Sequence, residues 1–312
     1  MDDVTKYANN IFEQPWWLNT VAKNQWREIT IEENNEIIAR WPVVSKKKFL
    51  YHTIIMPQLT QTLGIWIKPG HNAELDTLSR LKQIISELLN KIPSASYFKV
   101  RLDSSFKYFL PFHWRGYSIK PMITYKISDL GNLDQVFSNF DKSTKRKIIS
   151  AGKKLAIKED LDIDVLINMV NLTYQAQNRK SPIPTDLIRS IDKACKKKGA
   201  GKMLAAVDDS GNVHACTYFV YDENTFYYLI PGSDPQYKSS NSQSLIIWEA
   251  IKIASQLSRE FDFEGSMIEG IENFFRQFGG KPTVYYQISK MPLFSEVFEI
   301  LKPRIKRLLG YK

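Results

Sequence analysis

Phe261-Asp262-Phe263-Glu264-Gly265-Ser266-Met267 runs into Ile268-Glu269-Gly270-Ile271-Glu272-Asn273-Phe274-Phe275-Arg276-Gln277-Phe278-Gly279-Gly280, and this stretch decides the reading of the chain. Alternation over 261–263 predicts a strand. Asp262 and Glu264, two residues apart, then share one face. Gly265 lets another backbone or a ligand approach closely. From Ile268 the pattern predicts a helix with a glycine cap at its end. Tyr285 to Ile288 reads as a closing strand.

Working back from there, Lys202 to Val207, Val213 to Tyr221 and Thr225 to Ile230 read as strands. Asp208-Asp209-Ser210-Gly211-Asn212 and Asp222-Glu223-Asn224 supply the turns between them, and Pro231 with Gly232 ends the third strand. A helix from about Ser244 to Leu257 carries Leu245, Ile246, Trp248, Ala250, Ile251, Ala254 and Leu257. The loop before it delivers a helix N-terminus at a strand end, where N–H groups and the helix dipole favour an anion. Its residues, Tyr237-Lys238-Ser239-Ser240-Asn241-Ser242-Gln243-Ser244, suit a pyrophosphate, and they equally suit a solvated loop with a serine cap.

The first half has the same element order. After a helical segment from Ile11 to Ala22, three antiparallel strands are predicted at Trp26 to Ile31, Ile37 to Val44 and Phe49 to Met56. Then come a helix from about Ala73 to Leu89 and a strand from Ser96 to Leu102. Asn35-Glu36-Ile37-Ile38-Ala39 lies over Gly211-Asn212-Val213-His214-Ala215, and Met56-Pro57 over Ile230-Pro231. A repeat of this length means two copies of one fold rather than a solenoid. A short helix within Asp129 to Phe140 and, in the stretch Ser143 to Lys154, a basic helix ending near Gly152 join the halves. The expected domains are 1–140 and 141–312. The amphipathic, basic tail within 291–312 is expected to pack back on the first.

Composition bounds the function. The 312 residues predict two domains at ~100–200 residues each. The aromatic content, 17 Phe, 15 Tyr and 7 Trp, excludes disorder as the main state. Cys195 and Cys216 cannot build a disulfide framework. His52, His71, His113 and His214 show no metal-binding spacing, so no metal is expected. No apolar run approaches the ~20 residues of a membrane span. Met1-Asp2-Asp3-Val4 does not open a signal peptide, so the expected location is cytoplasmic. A net charge of +10 favours anionic partners such as nucleotides, coenzyme A, nucleotide-sugars, RNA or a membrane face.

The 262–267 and 274–280 motifs resemble the strand-and-helix signature of the tandem-GNAT, FemAB-like acyltransferases. Phe12-Glu13-Gln14-Pro15-Trp16-Trp17, Met56-Pro57-Gln58-Leu59-Thr60 and Pro111-Phe112-His113-Trp114-Arg115-Gly116-Tyr117 resemble first-domain motifs of that group. The resemblance covers nearly the whole chain. It implies an α/β fold of two tandem domains, each a mixed, mainly antiparallel sheet flanked by helices. It also implies acyl transfer from a thioester or an aminoacyl-tRNA to an amine. In GNAT domains a Q/RxxGxG/A loop holds the coenzyme A pyrophosphate. Here Ser240-Asn241-Ser242 stands at the glycines and Tyr237 at the Gln/Arg, which removes the close approach that glycine permits. A tyrosine on the later helix often serves as general acid, and Phe275 falls at that place.

Accepting a proton from the attacking amine is work for a carboxylate. Glu264 is the first candidate and Asp262 the second; the alternative is a structural pairing of either with Arg276. Leu229 and Ile230 lie where a GNAT-like splay of strands offers an N–H to the oxyanion. Acyl-CoA is expected on these two residues with Lys238, Ser239, Ser240, Asn241, Ser242, Gln243, Ser244, Asn273 and Arg276. The first half, read as a degenerate copy, is expected to take the acceptor on Tyr51, His52, Gln58, His113 and Trp114, with Tyr174 and Met267 from the second. Within the group, the chain resembles N-acyltransferases that modify dTDP-linked 3-amino-3,6-dideoxyhexoses for surface polysaccharide. Two further readings stay open. One is a peptidoglycan-bridge transferase that uses aminoacyl-tRNA. The other is a non-catalytic, basic RNA-binding module.

Overall fold

The computed structural model describes residues 4–48, 51–69, 75–159, 161–265 and 267–292. In chain order, a 3-10 turn at Ile11–Glu13 precedes α1 (Pro15–Val21), β1 (Trp26–Glu33), β2 (Glu36–Lys48), β3 (Tyr51–Ile55) and β4 (Trp66–Ile67). Then come α2 (Leu75–Lys91), β5 (Tyr97–Leu102), α3 (Leu110–Trp114), β6 (Ser118–Ile127), α4 (Leu133–Ser138), α5 (Lys142–Gly152) and β7 (Leu155–Glu159). The remainder is α6 (Ile163–Gln175), α7 (Thr185–Lys198), β8 (Gly201–Asp208), β9 (Val213–Tyr221), β10 (Thr225–Ser233), a 3-10 turn at Pro235–Ser240, α8 (Ser242–Leu257), β11 (Glu260–Asp262), α9 (Glu269–Arg276) and β12 (Lys281–Lys290).

The chain forms two compact units. The first holds Thr5–Glu13, Ala22–Pro121 and the chain from Tyr285; the second holds Gln14–Val21 and Met122–Val284. No single cut separates them, whereas the residue pattern alone puts one boundary near residue 140. The division falls inside β6 and β12, and the α1 segment goes with the second unit. The tail from 293, expected to pack back on the first domain, lies outside the described residues.

Each unit is a mixed α/β layer with the repeated order expected from the turns. In the first, β1, β2 and β3 run antiparallel, α2 crosses over, and β5 lies parallel to β3, with β12 antiparallel at its far side. In the second, β7 to β10 form an antiparallel meander, α8 crosses over, and β11 lies parallel to β10. β6 then pairs antiparallel with β11. Buried residues run nearly unbroken along β8, β9 and β10, the pattern of strands covered on both faces. One cover is α8, which buries Leu245, Ile246, Ile247, Ala250, Ile251 and Ala254. The other is α6, which packs on β9 and β10 and buries Leu166, Ile167, Met169 and Val170.

Three sequence boundaries shift for physical reasons. β10 does not stop at Ile230 but continues through Pro231 and Gly232 to Ser233, paired with Thr217, Cys216 and Ala215. Past Tyr227 it has no register with β11, and a strand with an open side tolerates a residue lacking an N–H. Gly232 is required there, because a Cβ would stand 2.6 Å from the Val170 backbone nitrogen. α8 starts at Ser242, not Ser244, because Asn241 takes the left-handed turn (φ 58°) that sets its first residue. The last helix ends at Arg276, and left-handed Gly279 (φ 69°) turns the chain into β12.

The first unit contains a buried polar knot. Glu13, fully buried, accepts the backbone N–H groups of Asn9 and Gly64, each at 2.8 Å. Arg40, also fully buried, donates to the carbonyls of Tyr7 and Glu13 and pairs with Glu28 at 3.0 Å. Burial pushes the Glu13 carboxyl up from 4.5 to about 7, against the opposing pull of the Asn9 and Gly64 N–H groups. Below 4.5 the group is protonated folded and unfolded alike. From there to about 7 the unfolded chain ionises first and stability falls; above 7 the loss, about 3 kcal/mol, is complete. The thermal midpoint is therefore expected to drop between about pH 5 and pH 8 by several degrees more in the wild type than in Glu13→Gln. Equal slopes in the two proteins would remove Glu13 as the source.

Candidate active site

The site is built where β10 leaves its neighbour. Thr225, Phe226 and Tyr227 pair with Glu260, Phe261 and Asp262 of β11, and the parallel register ends there. Opposite β9, Tyr228 faces Phe219 and Ile230 faces Tyr218, so Leu229 is an extra residue. Such a bulge sets one backbone unit outside the ladder and bends the strand. Leu229 and Ile230, the residues expected at a splay, thus occupy a bulge at an opening between strands. Their side chains are buried, so only backbone is available to a ligand.

Beyond β10, the turn at Pro235–Ser240 leads to α8. Asp234 starts the turn by accepting the Gln236 N–H at 2.8 Å. Asn241 adopts the left-handed conformation that a glycine would have supplied, which asparagine tolerates better than most residues. Its carbonyl accepts from Ser244 and Leu245, and its amide turns back to the Ser239 carbonyl at 3.3 Å. The left-handed turn is thus made without glycine. The start of α8 opens on a cavity of about 440 Å³. Lys147, Thr173, His214, Tyr237, Lys238 and Phe274 line it together with Asn241, Ser242, Gln243 and Ser244. First-turn N–H groups and two lysines, against one carboxylate, Asp234, which is engaged by the Gln236 N–H, make this an anion-favouring space.

Of the expected loop residues, Lys238, Asn241, Ser242, Gln243 and Ser244 thus come together at one cavity. Ser239 is exposed, and Ser240 accepts the Ser242 N–H at 3.3 Å. The Gln243 side chain points inward, donating to Thr217 Oγ1 at 2.6 Å and Tyr228 Oη at 2.9 Å. It pins α8 to the sheet and leaves only its backbone for a ligand.

The two candidate carboxylates have different environments. Asp262 is 1% exposed and accepts from Thr124 Oγ1 at 2.5 Å and from the Glu264 N–H at 2.7 Å. Lys126 Nζ stands 3.7 Å from its other oxygen. Asp262 therefore ties β6 to the turn after β11. Glu264, half-buried, has φ 58°, a conformation costly for a residue with a long side chain. Asp262 holds that strained residue through its amide. Arg276 pairs with neither carboxylate: it donates to Glu272 at 3.1 Å and to Asn273 at 2.8 Å.

Leu229, Ile230, Asp262 and Glu264 are not among the residues that line the α8 cavity, nor are the remaining expected residues. Asn273, Arg276 and Met267 are exposed on and before α9, and Tyr174 is half-buried on α6. Phe275, where the resemblance leads one to expect a tyrosine, is 5% exposed and packs edge-on to Tyr228. In the first unit, Tyr51, Gln58, His113 and Trp114 are exposed. Trp114 lies under Lys82, whose Nζ is 4.9 Å from the ring centre, and His52 Nδ1 donates to the Ser94 carbonyl at 2.6 Å. Burial pushes the Cys195 and Cys216 thiols up to about 12, so neither is a nucleophile near neutrality. Among the described residues there is no metal-holding group of His, Cys, Asp and Glu, and no helix is long and apolar enough to cross a membrane.

Sequence reasoning did not place Thr173, His214 or Phe274 at the cavity. They come from α6, β9 and α9, so no spacing links them. One signal was present: Asp208 and His214 flank the Asp209–Asn212 turn, and a hairpin brings its flanks together.

Comparison with known proteins relates this fold to one family model and to several solved structures. Residues 138–276 match the family model described as an acetyltransferase (GNAT) domain. No curated protein matches the chain. Among solved structures, FemX aligns with a TM-score of 0.68 at 13% identity, over 94% of this chain and 95% of that one. The C-terminal domain of a putative lysylphosphatidylglycerol synthetase from Agrobacterium fabrum aligns with a TM-score of 0.55 at 7% identity, over 92% and 94%. A tandem GNAT protein from the clavulanic acid biosynthesis pathway aligns with a TM-score of 0.52 at 8% identity, over 92% and 97%. At these identities the likeness concerns the fold, a GNAT-type acyltransferase fold.

Proposed function

We propose that the chain is an N-acyltransferase that moves an acyl group from a coenzyme A thioester to the amine of a dTDP-linked 3-amino-3,6-dideoxyhexose. The observation that carries the donor half is the α8 cavity, with its helix start, left-handed Asn241 and the lysines 147 and 238. In this reading the second unit holds the donor, and the first offers Tyr51, His52, Gln58, His113 and Trp114 to the acceptor.

The thioester supplies an activated acyl carbon. The chain's own groups do the rest. The start of α8, Lys147 and Lys238 hold the phosphates. The backbone N–H at the Leu229 bulge donates to the carbonyl oxygen as negative charge develops on it. Glu264 takes the proton from the attacking amine, directly or through water. With Phe275 where a phenol would stand, a thiolate leaves without a proton donor at that position, as a good leaving group can.

The test is thiol release from acetyl-CoA and 3-hydroxybutanoyl-CoA with dTDP-3-amino-3,6-dideoxyhexoses, with product masses from the same samples. Release that requires the sugar and adds one acyl mass supports the reading. No release with any pair, in folded protein, rejects it. A second reading has its own support in the lysylphosphatidylglycerol synthetase fold, whose name describes an aminoacyl group carried to a lipid. In that case the donor is an aminoacyl-tRNA, and the acceptor is an amine or hydroxyl of an envelope precursor, including a peptidoglycan bridge.

A further inference from the structure

His214 stands at the start of β9, 8% exposed, on the wall of the α8 cavity. Its Nε2 is 3.1 Å from Asp208 Oδ2. Asp208 is fixed in the hairpin turn, where it accepts the N–H groups of Ser210 at 3.0 Å and Asn212 at 2.9 Å and the Asn212 side-chain amide at 3.0 Å. An ionised carboxylate only accepts, so Nε2 carries the hydrogen, and in that tautomer of the uncharged ring Nδ1 is a lone pair. That Nδ1 is buried and makes no hydrogen bond among the described residues. Tyr237 lies flat on the imidazole, 3.9 Å between ring centres and 5° between planes. The Tyr237 N–H bonds the Asp234 carbonyl and the Asp234 N–H bonds the His214 carbonyl. A buried nitrogen without a hydrogen-bond partner thus belongs to a residue that lines the same cavity as the start of α8.

A ligand that completes this wall carries phosphate at the helix start and an O–H donor nearby. We propose that His214 Nδ1 accepts a hydrogen bond from a ribose hydroxyl of the acyl donor, so that the site distinguishes ribonucleotide from deoxyribonucleotide. The proposal rests on the reading of the α8 cavity as the donor site. Two donors share the chemistry: coenzyme A, and the terminal adenosine of an aminoacyl-tRNA.

The experiment is calorimetric titration of the full chain with two matched pairs. One is coenzyme A and its 2′-deoxy form; the other is the RNA ACCA and the same oligomer ending in 2′-deoxyadenosine. The wild type is expected to bind the ribo member of one pair about tenfold more tightly, because the deoxy member leaves Nδ1 unpaired. The pair that discriminates identifies the donor. His214→Phe keeps a flat ring under Tyr237 and removes the acceptor, so it should bind both members equally. His214→Asn, whose amide oxygen falls near the Nδ1 position, should recover part of the preference. Equal binding of both members by the wild type overturns the role of His214 and leaves the donor site standing. Failure to bind any of the four probes overturns both.

Discussion

Replacing Glu264 with glutamine is expected to lower turnover by about 10²- to 10⁴-fold, the range for loss of a general base, while coenzyme A affinity changes by less than about twofold. The exchange conserves shape, and it leaves the Glu264 N–H to Asp262 bond in place. It removes the ability to accept the amine proton. Glu264 adopts a left-handed backbone at an element end, and strain of this kind persists only where its surroundings enforce it. Here Asp262 does so from a buried position braced by Thr124. Steady-state kinetics with a binding titration on the same sample makes the measurement. A variant with wild-type turnover would dismiss Glu264 as the base.

Gly265→Ala is expected to destabilise the second unit by about 3 kcal/mol or more, the range where named backbone conflicts combine. Gly265 has φ 57°, and a Cβ there would fall inside the van der Waals envelope of the Ile123 carbonyl oxygen and Thr124 Cα. Both obstacles are backbone of β6 and cannot swing aside as a side chain does. Moving them would break a pairing of only two registered pairs, Phe261 with Ile127 and Asp262 with Lys126. Urea denaturation followed by the far-ultraviolet signal reports the change. A midpoint equal to wild type would mean that β6 does not pass so close. Because the same turn carries Glu264, a partly folded variant should also lose activity.

Much of this arrangement is legible in the residues alone. The two antiparallel meanders show because asparagine, aspartate and glycine turns punctuate short apolar runs. Both crossover helices carry an apolar stripe. Other elements are not legible. β6 contains Lys120, Pro121 and Lys126, and its pairing with the three-residue β11 joins segments far apart in the chain. α6 and α7 lie in a stretch for which no helix was expected, although α7 ends on left-handed Gly199 beneath three lysines. The anion-favouring loop stands out by its composition, but the inward turn of Gln243 depends on Tyr228 and Thr217, which sequence order does not bring near. The carboxylate pair reads, in sequence, as two candidates for one task. Burial separates them, one as support and the other as the group supported.

The place of β6 bears on how the gene can be divided. A fragment beginning at residue 141 would look natural by length and composition, yet it would discard Met122–Ile127 and with them the cover of β11. It would also discard Thr124 and Lys126, which surround Asp262. The truncated protein would expose a bare strand edge beside Phe261 and Phe263, an invitation to intermolecular pairing. The halves of this chain are thus duplicates in pattern but not exchangeable modules. Recombination or domain grafting that respects the repeat would still cut through the strand on which the turn carrying Glu264 depends.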